Sequence, residues 1–167
     1  MRETAQEYKQ RIFGYLGQND PLKIQSATPK KIERLVSRAS AAKLRKQPAP
    51  GKWSISEILA HLADVELVVG YRIRTILGAP GSPIQAFDQD KWAQAMVYGK
   101  ANARKSLERF SAFRKANLDL LKSLSAAQWK YHGMHAERGE ESIETIAQLN
   151  AGHDINHLRQ IEKILSQ

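Results

Sequence analysis

Residues 142–167, SIETIAQLNAGHDINHLRQIEKILSQ, place apolar side chains at helical spacing, and the middle of that stripe is polar. Steps of three and four run through Ile143, Ile146, Asn150, His153, His157, Gln160 or Ile161, and Ile164, the pattern of a helix that buries one face. A chain that folds around this helix must find partners for two imidazoles and an amide, because unpaired polar atoms are costly inside a core. His153 and His157 are four apart, so both rings leave one face over neighbouring turns, a spacing that lets two side chains reach one metal ion. The plain alternative is a pair of hydrogen-bonded core histidines, and a third ligand would shift the balance toward metal.

Composition narrows the donors such a site can use. The 167 residues include no cysteine, which removes disulfides, thiolate metal sites, iron–sulfur clusters and cysteine nucleophiles and leaves His and oxygen ligands. The length fits a single domain, 1–167, whose core needs no staples. No apolar run approaches the ~20 residues of a membrane span. The opening MRETAQEYKQ has no apolar signal core, so a cytoplasmic protein without membrane association is expected. Lys and Arg number 26 against 17 Asp and Glu, a net charge of +9. Much of the excess lies in residues 30–52, at Lys30, Lys31, Arg34, Arg38, Lys43, Arg45, Lys46 and Lys52, with no interleaved aromatics to stack on bases. The patch reads as a solvated helix face and a basic loop, and a nucleic-acid partner is not expected.

Along the chain, residues 3–16 put Tyr8, Ile12, Phe13 and Leu16 on one side of a short helix that Gly17 and Asn19-Asp20-Pro21 should end. Thr28 followed by Pro29 reads as the start of a second segment with the stripe Ile32, Leu35, Val36 and Ala39, so that the two form one broken helical arm. Gln47-Pro48-Ala49-Pro50-Gly51 is a breaker. In WSISEI, Ser54 and Glu57 make a capping box and Trp53 can staple against Ile58, starting a helix that runs through Leu62, Val65, Val69, Ile73 and Ile76 to about Leu77. His61 borders its inner stripe and is the candidate third ligand. Residues 78–99 are loop with a short helix at 87–97 holding Trp92, a connection whose aromatics should wall one side of the site. A long helix follows over 101–124, with Ala103, Leu107, Phe110, Phe113, Leu118, Leu121 and Leu124 inward. Residues 125–139 read as turns, which makes His132 and His135, flanked by Gly133 and Gly139, loop residues, with one of them approaching the pocket as the lesser alternative. No run alternates long enough to read as a strand. Four helical units predict an all-α four-helix bundle, a fold that commonly builds metal and ligand sites from inward side chains on facing helices.

With His61 set across from His153 and His157, three imidazoles from two helices leave coordination positions open, the arrangement of catalytic rather than structural sites. Neutral imidazole suits zinc, nickel, iron or copper alike, and the residues do not choose among them; the expected cofactor is a divalent transition metal, with zinc or nickel a preference that the ligand set does not decide. Three stretches, GKWSISEILAHLADVE at residues 51–66, HAERGEESIETIAQL at 135–149 and GHDINHLRQI at 152–161, resemble the DinB-like family, also called the DinB/YfiT superfamily of metal-dependent enzymes, and the resemblance covers nearly the whole chain. It implies an up-down-down-up four-helix bundle with a long connection between the second and third helices. It also implies one metal-binding His on the second helix and two, four apart, on the last, which here are His61, His153 and His157.

The resemblance further implies thiol S-transferase or hydrolase-type chemistry on a small-molecule substrate, with a low-molecular-weight thiol as co-substrate in the transferases. A bound metal can hold a thiolate or hydroxide near neutral pH and polarise an acceptor carbonyl. The alternative is a non-catalytic metal-binding or stress-response helical module. Asn150 and Gln160 face the site and are assigned to substrate or water, against a polar bundle seam as the bland reading. Glu57 is explained by its cap, Asp64 is a candidate orienter of His61, and Asp154 leaves its helix at another angle. Arg72 and Arg159 could hold the carboxylate of an anionic thiol, although each reads first as a surface residue. Leu67, Val68 and Leu120 are outward apolar residues that allow a homodimer.

Overall fold

The computed structural model describes residues 3–167, and helix dominates them. Helix α1 (Ala5–Leu16) opens on a capping box between Thr4 and Glu7. Helix α2 (Pro21–Val36) starts on Asp20, whose carboxylate accepts from the N–H groups of Leu22 and Lys23, with Pro21 in the first turn where a missing N–H costs nothing. The expected break at Thr28-Pro29 is absent, and α2 runs through both. Pro29 removes the bond that the Gln25 carbonyl would accept, and Arg114 Nη1 donates to that carbonyl instead, at 2.9 Å. The Thr28 hydroxyl donates to the Ile24 carbonyl at 2.9 Å. A side chain from another helix thus fills the gap that proline leaves, and one unbroken helix results.

A single-turn helix, α3 (Ala41–Arg45), leads to α4 (Ile55–Gly78), which begins on the expected Ser54–Glu57 capping box. After α4 come α5 (Gln89–Ala95), a 3-10 turn at Tyr98–Lys100, α6 (Ala103–Ser123), α7 (Ala126–Trp129) and α8 (Ile143–Leu165). Helices α2, α4, α6 and α8 form the bundle: α4 packs on α6 and α2 on α8, further contacts join α2 to α6 and α4 to α8, and α1 lies along α8. That last pair approaches closely at Gly152, where any Cβ would overlap the Ile12 carbonyl oxygen.

The core is divided in two. One cluster joins Ile32, Ile55, Ile58, Leu62, Phe110 and Ile161, and the other joins Val69, Ile73, Ile76, Leu121, Ile143 and Ile146. Between the two clusters on α4, α6 and α8 lie buried polar residues, Glu66, Arg114, Asn117, Asn150 and Asp154, with Gln25 joining them from α2. His153 and His157 lie in that stretch of α8, and His61 lies within the first cluster's run on α4, between Leu59 and Leu62.

A small sheet corrects the all-helical expectation. Strand β1 (Pro83–Ile84) pairs parallel with β2 (His132–His135), which pairs antiparallel with β3 (Gly139–Ser142). Strands of two to four residues are too short to show a period of two, so their sequence looked like turns. His132 and His135 are therefore strand residues, and His135 is buried. Of the basic residues at 30–52, Lys43 is half-buried and the others are exposed, as a solvated face requires. No helix among the described residues is long and apolar enough to cross a membrane.

Candidate metal centre

The bundle brings His61 of α4 together with His153 and His157 of α8, all three buried. His153 Nε2 lies 3.0 Å from His61 Nε2 and 3.1 Å from His157 Nε2. The rings are held by different means. His61 stacks against Trp53 with centroids 5.0 Å apart at 56°, so the residue that precedes the α4 cap also packs a site histidine. His157 Nδ1 lies 2.9 Å from Gln160 Oε1, and since that oxygen only accepts, Nδ1 carries the proton and Nε2 the lone pair. The Nδ1 atoms of His61 and His153 have no hydrogen-bond partner among the described residues; packing fixes those two rings.

Protons alone do not satisfy this triad. If His153 Nε2 is protonated it can serve His157 but cannot also accept from His61, and if it is not, its lone pair faces that of His157. A cation shared by three lone pairs removes the conflict. Ligand nitrogens ~2.0–2.1 Å from such an ion stand roughly 2.9–3.4 Å apart for angles between octahedral and tetrahedral, a range that includes both separations seen here. Charge state agrees: burial, with the charge of His157 second, holds His61 well below the usual imidazole range, and burial with its histidine neighbours does the same to His153. Burial lowers His157 to about 4. All three are neutral near pH 7, as ligation requires.

These depressed values make acid the enemy of the metal-free fold. A histidine at about 6.5 in the unfolded chain and about 4 when folded contributes stability that is fully present above 6.5 and is lost as pH falls toward 4. For His157 the difference is worth about 3 kcal/mol. Urea unfolding of metal-free protein should therefore show stability declining from about pH 6.5, above the range in which carboxylates titrate. A flat profile down to pH 5 would contradict neutral burial of the ring.

Helices α4 and α8, with the start of α1, the strands and α5, also line an open-sided cavity of about 860 Å³ that His61, His153 and Asn150 border. Asn150 spends its amide nitrogen on Glu66 Oε1 (2.7 Å) and Gln25 Oε1 (3.1 Å), while its Oδ1 has no partner among the described residues. Asp64 does not orient His61. Three residues further round α4, it accepts instead from the Tyr98 hydroxyl in the 3-10 turn. Asp154 turns away from the triad to Arg114, with bonds of 2.6 and 2.9 Å. Arg159 is exposed and lies over the Tyr15 ring, but Arg72 is buried in the cavity wall, contrary to its surface reading. Arg114 and Glu66 were given no role in the sequence, where charged residues on an otherwise apolar stripe were the signal; His135, read as a loop residue, lines the cavity.

A protein of Oceanobacillus iheyensis named as a candidate metal-dependent hydrolase is 25% identical over 138 residues, 81% of this chain and 78% of its own length. A second from the same organism, similarly named, is 26% identical over 114 residues, 68% of this chain and 66% of its own. YfiT from Bacillus subtilis, described as a candidate metal-dependent hydrolase with an unusual four-helix bundle topology, superposes with a TM-score of 0.81 at 20% identity, covering 86% of this chain and 83% of YfiT; that likeness speaks to fold. The family model of the DinB superfamily matches residues 26–161. With most of its length inside that match, the chain belongs to the DinB superfamily.

Proposed function

We propose that this chain is a metal-dependent enzyme of hydrolase or thiol S-transferase type, acting on a small molecule, with His61, His153 and His157 as ligands. The convergence of three neutral Nε2 atoms at 3.0 and 3.1 Å carries this reading. Zinc or nickel bound there would supply an activated water or thiol and a polarised acceptor. The protein's own part is to keep the imidazoles unprotonated by burial, to fix the His157 tautomer through Gln160, and to admit substrate from the cavity. Asn150 Oδ1 and the amide nitrogen of Gln160 are the groups we assign to substrate. The same reading takes the bundle as up-down-down-up, with residues 79–102 as the long connection. It is supported by α4 and α6 sharing one cluster at their N-terminal ends and the other at their C-terminal ends. A homodimer across exposed Leu67 and half-buried Val68 and Leu120 belongs to it as well.

Elemental analysis of untagged protein should find one equivalent of transition metal per chain. Turnover in a screen of activated esters and of thiols paired with electrophiles should disappear with chelator and return with zinc or nickel. Protein that takes up no metal on reconstitution, or that turns over equally well after chelation, overturns the proposal.

A further inference from the structure

Arg72 follows His61 by eleven residues on α4, roughly 16 Å further along the axis and within about 20° of the same face. Val65 and Val69 stand between them on that face, and all four line the cavity. Arg72 is 8% exposed. Its guanidinium donates from Nη2 to the Gln85 carbonyl at 2.6 Å, and its Nε has no partner among the described residues. Glu141, which shares this wall, is already engaged by Arg138 at 2.6 and 2.9 Å and by Lys9 at 4.0 Å. A cation this buried, without a carboxylate of its own, is costly unless something else supplies one.

The neighbour of Arg72 sharpens the point. His135, 3% exposed, accepts at Nδ1 from the backbone N–H groups of Glu137 and Arg138, at 3.1 and 3.3 Å. In a neutral ring the proton is then on Nε2. Burial lowers His135 to about 4 and Arg72 to about 10, so near pH 7 one is neutral and the other charged. Arg72 Nη2 and His135 Nε2 stand 3.5 Å apart, and both are donors. Neither satisfies the other, and both want the same acceptor.

We propose that Arg72 and His135 bind a carboxylate of the small-molecule ligand, whose aliphatic middle lies along Val65 and Val69 and whose other end reaches the His61 and His153 rings. A carboxylate offers two oxygens in one plane, one for the guanidinium and one for the imidazole N–H. Phe87, with its ring centre 5.9 Å from Arg72 Cζ, adds an apolar side for the carbon chain. The identity of the far end rests on the metal-centre reading above; the carboxylate site does not.

The test is titration of isotope-labelled full-length protein with octanoate and with octanamide, followed by NMR at physiological ionic strength, in metal-free and zinc-loaded forms. Octanoate should bind at least about tenfold more tightly than the amide, the worth of a charge-assisted bond at a desolvated site. Arg72→Gln should reduce that preference to less than about twofold, and His135→Phe should weaken it. Equal binding of acid and amide by the unaltered protein overturns the proposal, with no variant needed. An undiminished preference in Arg72→Gln also overturns it, since the net positive charge of the chain would then be the cause. Acid preference in protein that takes up no zinc would leave the carboxylate site standing and sink the metal-centre reading, whereas zinc uptake without acid preference does the reverse.

Discussion

Arg114→Leu should destabilise the fold by about 3–5 kcal/mol, the range for breaking a buried ion pair by removing one partner. Arg114 is 1% exposed. It donates to both oxygens of Asp154 (2.6 and 2.9 Å), to Glu66 Oε1 (2.8 Å) and to the Gln25 carbonyl (2.9 Å). Burial raises Asp154 above the usual carboxylate range although the guanidinium opposes it, while Asp154 and Glu66 together hold the guanidinium charged despite its burial. Leucine leaves two carboxylates without their cation and returns to α2 the unsatisfied carbonyl that Pro29 creates. Replacing Arg114, Glu66 and Asp154 together by apolar residues of similar volume should recover part of the loss, because no buried charge is then left unpaired, while the Gln25 carbonyl, Asn117 and Asn150 still lose partners. Urea unfolding of the single and triple variants reads both effects. A single variant that loses under about 1 kcal/mol would mean that the polar layer does not hold the helices together.

The bundle was legible because its signals are local. The Ser54–Glu57 box sits at the N-terminus of α4, and the inward stripes of α4, α6 and α8 end in the two apolar clusters. What escaped depended on distant partners. Thr28-Pro29 looks like a helix start because nothing nearby says that Arg114, 85 positions later, will satisfy the Gln25 carbonyl. The sheet escaped because β1 pairs with a strand about fifty residues away over only two positions. Gly152 was visible within GHDINH, but its reason, the Ile12 carbonyl of α1 pressed against α8, lies in tertiary packing.

The same division runs through the site. His153 and His157 announce themselves by spacing, and His61 by its place beside an apolar stripe. Gln160 was placed near them, and its bond to His157 adds an orienting part that i, i+3 spacing allows but does not specify. Asp64 sits at that same spacing from His61, yet Tyr98 takes it. Arg72 was legible as a possible carboxylate holder, but its pairing with His135 was not, since their nearness comes from a strand laid beside the far half of α4, and a single arginine in a helix reads as surface until its surroundings are known.

His61→Ala should lower zinc affinity by more than about a hundredfold, whereas Gln160→Leu should cost about ten- to a hundredfold, the usual range for losing an outer partner of a ligating histidine. The asymmetry follows from position. Without His61 only two imidazoles remain, both on α8, and the ion loses the ligand that ties α4 to α8. Without the Gln160 oxygen all three Nε2 atoms remain, but His157 is free to adopt the other tautomer, which places a proton where the lone pair should be. Competition with a chromophoric chelator at pH 7 measures both, and Arg72→Gln, remote from the triad on α4, serves as the comparison that should leave affinity unchanged. At lower pH the Gln160→Leu deficit should persist, because it arises between neutral tautomers rather than from protonation. If His61→Ala binds zinc as tightly as the unaltered chain, the three rings do not share an ion, and their 3.0 and 3.1 Å contacts are a hydrogen-bonded core cluster.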